Sequence, residues 1–264
     1  VGQFQISITY LMAVSLVLTG PLQLMLTRFI ADRLYEKHEE KVLPNLTGAI
    51  FVVVAVSGTL ALFCLAYLFT GSVLYRLLML SGLVILSTIW IVVIVLSGLK
   101  AYREILFAFL LGYGITVLVA MELGEYGLEG LLFGFILGHS VLLFMLLVVV
   151  FNSYSSDTLI AFDFLDRNQI YPSLVITGLL YNLAIWADKF IFWFNPQTST
   201  VIVEPLRGSE LYDLPIFLAY LSIIPGMAVF LLRMETDFVE KYSQFYDAIN
   251  NGSSLKTIYQ IYDE

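Results

Sequence analysis

The chain has 264 residues, of which 59% are hydrophobic and only 13% are charged, and its mean hydropathy is +0.89. This composition excludes a soluble globular domain of that length and predicts a polytopic α-helical membrane protein. The formal net charge of −8 argues against a nucleic-acid partner, which would require a basic face. The single cysteine, Cys64, cannot form an internal disulfide and is interpreted as a small buried apolar residue.

Seven apolar stretches are each long enough to cross a bilayer, which requires about 20 mostly apolar residues. The predicted spans are about residues 4–30, 46–69, 77–99, 105–121, 131–151, 171–194 and 214–232. Residues 1–233 are therefore predicted to form an all-α, polytopic transmembrane helix bundle, and residues 234–264 an amphipathic helical tail. Aromatic residues recur at helical spacing in this tail, and Ser254 is a predicted N-cap for a second short helix.

Two proline–glycine pairs lie inside predicted spans. Gly20-Pro21 lies in the first span and Pro225-Gly226 in the seventh. Proline removes a backbone hydrogen bond and kinks a helix, and such breaks are tolerated where neighbours or a cavity satisfy the freed groups. Both pairs are therefore predicted helix breaks. Arg28, which follows the first pair, is interpreted as a snorkelling residue, with a contact to substrate as the alternative.

Lysine and arginine residues are distributed unevenly between the two sides of the predicted bundle. With residues 31–45 placed inside, the inside carries Arg28, Arg33, Lys37, Lys41, Lys100, Arg103, Arg167, Arg233, Lys241 and Lys256. The outside carries Arg76 and Arg207, with Lys189 in a span near that side. Because cytoplasmic loops are enriched in positive residues, we predict that the N-terminal edge lies outside and the tail in the cytoplasm.

The sixth predicted span contains polar residues that a lipid-facing helix would exclude. At helical spacing, Thr177, Tyr181 and Asp188 form one stripe, and Gly178, Asn182 and Lys189 form the adjoining stripe. A charged side chain at the bilayer centre costs about 2.5–3.5 kcal/mol, so such residues usually face a cavity or the protein interior. This polar sector is therefore a candidate transport pathway. The alternative is structural, with Lys189 snorkelling to the interface and Asp188 as its counter-charge.

His139 lies inside the fifth predicted span, directly after a glycine. A lone histidine within the membrane could relay protons along a transport pathway, because its pKa lies near physiological pH. The same residue is interpreted, by preference, as a satisfied histidine of the core or the pore lining. Both interpretations remain open from the sequence.

Motifs that are typical of enzymes are absent from the sequence. There is no G-x-x-x-x-G-K-[ST] phosphate loop, no H-E-x-x-H or C-x-x-C pair for a metal, and no G-x-S-x-G nucleophile elbow. The connectors are mostly short and leave little room for a soluble catalytic domain. We therefore expect a protein that is not an enzyme and that has no cofactor and no metal site. Broken spans with a few buried polar groups are typical of a transporter.

Three segments carry a resemblance to a known family. They are ITYLMAVSLVLTGPLQLMLTRFIADRLYEKHEE (residues 8–40), GLLYNLAIWADKFIFWF (residues 178–194) and METDFVEKYSQFYDAINNG (residues 234–252). These segments resemble the PelG family of inner-membrane Pel exopolysaccharide transporters. The resemblance implies a relation to the polysaccharide flippase and multidrug-exporter superfamily, with about twelve spans in two halves. The chain would then be a fragment that lacks the first span and about the last four.

The resemblance also implies a substrate and partners. The substrate would be Pel, a cationic amino-sugar polymer that crosses the bacterial inner membrane, and a cationic glycan favours acidic and aromatic lining. The partners would be a cytoplasmic glycosyltransferase and other membrane subunits of an export complex. One alternative is an ion-coupled antiporter or flippase of small molecules or lipid-linked oligosaccharides, with Asp188 or His139 coupling to the ion. Another is a membrane scaffold for the glycosyltransferase.

Overall fold

The computed structural model describes residues 2–69, 71–97, 99, 101–166 and 171–263. These residues form nine α-helices and one two-stranded sheet. In chain order they are α1 (Gly2–Tyr35), α2 (Val42–Tyr67), α3 (Val73–Leu96), α4 (Tyr102–Leu123), α5 (Leu128–Ser153), α6 (Pro172–Phe194), β1 (Thr200–Val203), β2 (Leu206–Gly208), α7 (Glu210–Arg233), α8 (Val239–Asn250) and α9 (Leu255–Asp263). The chain divides into two compact units, Val1–Ser209 and Glu210–Glu264.

The helices α1 to α7 are all long and apolar enough to cross a membrane. Even the shortest of them, α4 with 22 residues, extends about 33 Å at 1.5 Å per residue. This length matches the hydrocarbon core of a bilayer, which is about 30 Å thick. The prediction of an all-α, polytopic bundle is confirmed, and each predicted span overlaps one of these helices. The protein is an integral membrane protein.

Helix α1 organises the first unit, because it packs against both α3 and α6. The two halves of α1 belong to different hydrophobic cores. Met25, Leu26 and Phe29 join residues of α2, α3 and α5 in one core. Ile6 and Leu11 join residues of α3, α5 and α6 in the other. Helices α4 and α5 form a second extensive pair beside α1.

Contacts between connectors show which helix ends lie together. At one end of the unit, the amide of Asn45 at the start of α2 donates to Asp163 of the α5–α6 connector at 3.2 Å. Ser72, in the α2–α3 connector, donates to Glu129 at the start of α5. These pairings fit connectors that alternate between two ends, as the predicted topology requires. Two of the positive residues counted in that prediction, Lys100 and Arg167, lie outside the described residues.

The α5–α6 connector is fastened to α2 by the fully buried side chain of Asn45. Besides its bond to Asp163, the Asn45 amide donates to the Lys41 carbonyl oxygen at 2.9 Å. Its side-chain oxygen accepts from the Phe164 N–H at 3.2 Å, and Phe164 is itself only 1% exposed. Tyr154, where the connector begins, belongs to the same core, and burial raises the pKa of its phenol. The connector is therefore a packed part of the unit.

Replacing Asn45 by leucine is expected to loosen this connector. The substitution leaves the Phe164 N–H buried without its acceptor, which costs about 1–3 kcal/mol. Limited proteolysis of the purified protein should then cleave residues 154–166 about tenfold faster than in the wild type. Thr47→Val is the matched control, because Thr47 donates to the Leu43 carbonyl oxygen within its own helix. Equal cleavage rates in both variants would contradict the prediction.

Neither proline–glycine pair ends its helix, so the predicted helix breaks are not seen. Helix α1 continues through Gly20-Pro21, and α7 continues through Pro225-Gly226. A proline removes only one backbone donor from the helix, and neighbouring packing can maintain the helical conformation across it. In α1, Thr19 beside the pair is fully buried. The surrounding contacts therefore hold α1 as one helix.

Two predicted connectors contain secondary structure. The predicted loop of residues 195–213 contains the antiparallel strands β1 and β2, and Leu206 of β2 is 4% exposed. The run of β-branched residues Thr200–Val203 was the available signal. Residues 31–45, between the first two predicted spans, also contain helical structure. Helix α1 extends into them, and a turn with Lys37 at a φ of 63° precedes α2.

The second unit contains α7, α8 and α9. A π-helical turn, Met234–Phe238, joins α7 to α8, so the apolar helix continues directly into the predicted tail. The predicted cap of the last helix is confirmed, because the Ser254 hydroxyl accepts from the Thr257 N–H at 3.2 Å. The tail is thus helical, as the aromatic spacing indicated.

Candidate functional site

Helix α6 presents its two predicted polar stripes to different surroundings. Gly178, Asn182 and Lys189 are buried, whereas Thr177 is exposed and Tyr181 is 63% exposed. The contact between α1 and α6 is called here the α1–α6 seam. It consists of Tyr10, Gly20 and Gln23 of α1 and of Gly178, Asn182 and Trp193 of α6. Thr177, Tyr181 and Asp188 are called the exposed polar face. The structure therefore separates the predicted pathway residues into two sets.

The seam is tightest where two glycines meet. A Cβ atom added at Gly20 would lie 2.7 Å from the Gly178 carbonyl oxygen, and one added at Gly178 would overlap the Gly20 carbonyl oxygen. No side chain fits between these two segments, so the two backbones are in direct contact. Small residues commonly permit such close approach of membrane helices.

Polar side chains continue the seam beside the glycines. The Asn182 amide donates to the Gly178 carbonyl oxygen at 3.1 Å and to the Gln23 side-chain oxygen at 3.4 Å. The Gln23 amide in turn donates to the Thr19 hydroxyl at 2.9 Å. Asn182 is therefore a tie between the helices. Thr19 and Gln23 are not among the residues predicted for the site, although their spacing of four residues places them on one helix face.

Lys189 lies between Asn182 and Trp193 on the buried side of α6, and it is only 6% exposed. Its ammonium nitrogen lies 3.5 Å from an Asp188 carboxylate oxygen and 4.9 Å from the centre of the Trp186 ring. A buried ammonium is costly unless it is paired. The carboxylate and the face of the indole both stabilise it.

Asp188 stands at the border between the buried side of α6 and the exposed polar face. Its side chain is 40% exposed, whereas that of Lys189 is 7% exposed. One carboxylate oxygen accepts from the Lys189 backbone N–H at 2.8 Å, which fixes its orientation. The nearby Trp186 indole nitrogen is buried and has no hydrogen-bond partner among the described residues. The partly exposed carboxylate can attract a cation, whereas the Lys189 ammonium already lies over the face of the Trp186 ring.

Aromatic contacts fasten the β-hairpin to one end of the seam. Tyr10 stacks on the fully buried Trp193, with ring centroids 4.4 Å apart and planes inclined by 17°. The Tyr10 hydroxyl donates to the Arg207 carbonyl oxygen at 3.0 Å. The Arg207 guanidinium donates to the Ser199 hydroxyl at 2.9 Å within the hairpin. The hairpin therefore covers this end of the helix pair.

The two other predicted pathway residues, Arg28 and His139, have partners outside the seam. Arg28 forms an ion pair with Asp32 one turn further along α1, at 3.1 Å, and its guanidinium lies 5.6 Å from the Tyr171 ring centre. His139 is 4% exposed, and its ring packs on that of Phe135 with centroids 3.9 Å apart. The His139 Nδ1 atom lies 2.8 Å from the Phe135 carbonyl oxygen.

Seven apolar helices, a tightly packed polar seam and a partly exposed carboxylate are features found in helical membrane transport proteins. The chain belongs to the PelG family, whose model, "Putative exopolysaccharide Exporter (EPS-E)", matches residues 1–264. No curated protein and no solved structure matches the chain. The resemblance carried by the three sequence segments is confirmed. The protein is a membrane subunit for exopolysaccharide translocation.

Proposed function

We propose that the exported polysaccharide is a cationic amino-sugar polymer and that it passes along the exposed polar face of α6. The observation that carries this proposal is the Asp188 carboxylate, which is 40% exposed. It lies beside Lys189, whose ammonium sits over the Trp186 ring. A carboxylate attracts amines, which suits a polymer that carries ammonium groups.

Lys189 gives this site a second property that transport requires. The Lys189 backbone N–H orients the carboxylate, so a passing ammonium group meets a fixed acceptor. The Lys189 ammonium, at 3.5 Å, partly offsets the negative charge of Asp188. Transport requires binding that is favourable enough for entry and weak enough for release. The pair therefore holds each sugar amine only weakly.

Thiol accessibility tests whether the exposed polar face lines an aqueous path. The variants are made in a Cys64→Ala background and treated with a charged thiosulfonate reagent. Thr177→Cys and Tyr181→Cys should react at least about tenfold faster than Ile176→Cys and Leu180→Cys. The reason is that the reactive thiolate requires water. Ile176 and Leu180 are matched controls, since they are 60% and 58% exposed on an apolar stripe of the same helix. Equal rates at all four positions would remove α6 from the pathway.

We also propose a mode of action for the protein. The protein acts as a transporter and not as an enzyme, and Asp188 is its principal charged contact to the polymer. His139 serves packing, which is supported by its burial and its ring contact with Phe135. Ion coupling through His139 would require a proton path to this ring. Export that persists in His139→Gln at normal protein level is therefore the expected result, and its loss would favour the ion-coupled alternative.

We place the protein in the bacterial inner membrane with its C-terminal tail in the cytoplasm. The excess of lysine and arginine on the side of residues 31–45 supports this orientation. A cytoplasmic glycosyltransferase and other membrane subunits would then deliver and receive the polymer. A cysteine in place of Ser253 should react with an impermeant thiol reagent in inside-out vesicles. Reaction in intact cells would contradict the orientation.

A further inference from the structure

Helix α7 continues far beyond the length that a membrane span requires. Helical structure runs from Glu210 to Asn250, through the π-helical turn, for 41 residues. At 1.5 Å per residue this corresponds to about 60 Å, which is twice the hydrocarbon thickness of about 30 Å. The helix is therefore longer than one membrane span requires, and α8 follows the predicted span of residues 214–232 without a break in helical structure.

Helix α9 folds back onto α8 after a short turn. Gly252 in this turn adopts a φ of 66°, and the Ser253 N–H donates to the Ala248 carbonyl oxygen at 2.9 Å. The rings of Phe245 and Tyr262 lie 6.3 Å apart between the two helices, and Ala248 is 8% exposed. The helices α8 and α9 with their turn, residues 239–263, are called here the α8–α9 hook.

The α8–α9 hook and the π-helical turn before it expose a row of aromatic side chains. Phe238, Tyr242 and Tyr246 follow one another at spacings of four residues, with successive ring centroids 6.0 and 4.5 Å apart. Their exposed fractions are 54%, 52% and 45%. Helix α9 adds further exposed apolar residues, namely Leu255, Tyr259 and Tyr262. Clustered aromatic residues of this kind are enriched at the centres of protein–protein interfaces.

The net charge of the tail selects among possible occupants. Residues 234–264 contain six acidic residues and two lysines. An anionic membrane surface attracts basic segments and repels this acidic one. A second copy of the same acidic surface would also be repelled. The complementary occupant is a protein surface that is itself basic.

We propose that the α8–α9 hook, together with Phe238, is a docking site for a partner protein with a basic surface. The aromatic row inserts into that surface of the partner. The partner presents an apolar groove that receives Tyr242 and Tyr246, with lysine or arginine side chains around it. The π-helical turn that joins the hook to α7 carries Glu235 and Asp237 at the base of the aromatic row. This inference concerns assembly and does not depend on the polymer pathway along α6.

Site-specific photo-cross-linking of the full chain in its own membrane tests the proposal. A benzophenone amino acid at Tyr242 or Tyr246 should form a discrete protein adduct, whose cross-linked partner peptide is rich in lysine and arginine. The same group at Gln244 is the matched control, since Gln244 is also exposed but lies on another side of α8. Because this position points away from the aromatic row, it should give less than about one fifth of that adduct. Adducts to lipid alone, or to a second copy of the chain, would overturn the proposal.

Charge reversal supplies a second readout that does not alter the aromatic row. Glu235→Lys should reduce the Tyr242 adduct at least about fivefold, because like charges at an interface are repulsive. The conservative variant, Glu235→Asp, should retain it. Asp188→Asn should also retain the adduct, so failure of docking and failure of the pathway are distinguishable. An adduct that is unchanged by charge reversal would overturn the basic character of the partner.

Discussion

Replacing Asp188 by asparagine is expected to reduce polymer export at least tenfold when export is expressed per amount of protein in the membrane. Asparagine keeps the size of the side chain, and its oxygen can still accept from the Lys189 N–H. It loses the charge that attracts ammonium groups, and a pair of charges about 4 Å apart near a protein surface is worth roughly 1–4 kcal/mol. Export is measured as amino sugar released by hydrolysis of the secreted polymer.

Lys189→Gln and the double variant distinguish a pathway from a structural tie. If Asp188 binds the passing polymer, export stays low in Asp188→Asn combined with Lys189→Gln, because the carboxylate is still missing. If the pair only balances the buried charge of Lys189, which is 6% exposed, removing both charges restores export. Normal export in all three variants would show that the pair is not required for transport. It would favour the hypothesis that the protein is a membrane scaffold that acts through its tail.

Gly178→Ala is expected to lower the thermal stability of the purified protein and to abolish export. The new Cβ would overlap the Gly20 carbonyl oxygen, and because that atom belongs to a helix backbone, α6 must move away from α1. Overpacking of this kind costs about 1–3 kcal/mol, and the displacement also stretches the hydrogen bond between Asn182 and Gln23. The measurement is the melting temperature in detergent, together with export in cells.

Gly114→Ala is the matched control for this substitution. Gly114 also lies inside a membrane helix, but a Cβ at this position has nothing within 4 Å. Alanine is intrinsically more favourable than glycine in a helix by about 1 kcal/mol, so this control should leave the melting temperature unchanged or raise it. The melting temperature is expected to fall in Gly178→Ala and not in Gly114→Ala. This difference distinguishes an effect of close packing from an effect of helix propensity. A melting temperature that rises in Gly178→Ala would show that the seam is not tight.

The helices that cross the membrane were predictable because the bilayer imposes a strong and local requirement. Each span must be about 20 apolar residues long, and every backbone group must be satisfied within the helix. The β-hairpin after α6 escaped prediction, since its two strands have four and three residues. Strands this short are stable only where other elements cover them, here through Tyr10 and Trp193 of the seam.

The proline–glycine pairs show how tertiary contacts can override a local signal. From the sequence, Gly20-Pro21 indicates a broken helix, but α1 continues through it. Gly20 instead provides the flat surface on which Gly178 packs, 158 residues further along the chain. The glycine is needed for a contact with a distant helix, which no local pattern contains.

The sequence by itself determined that the chain contains seven stretches long and apolar enough to cross a membrane, and that the sixth of them carries two adjoining polar stripes. Only the tertiary structure decided which stripe is buried, because helical periodicity orders residues around an axis and does not say where the neighbouring helix lies. Contact with α1 covers Gly178 and Asn182 and leaves Thr177 and Tyr181 exposed.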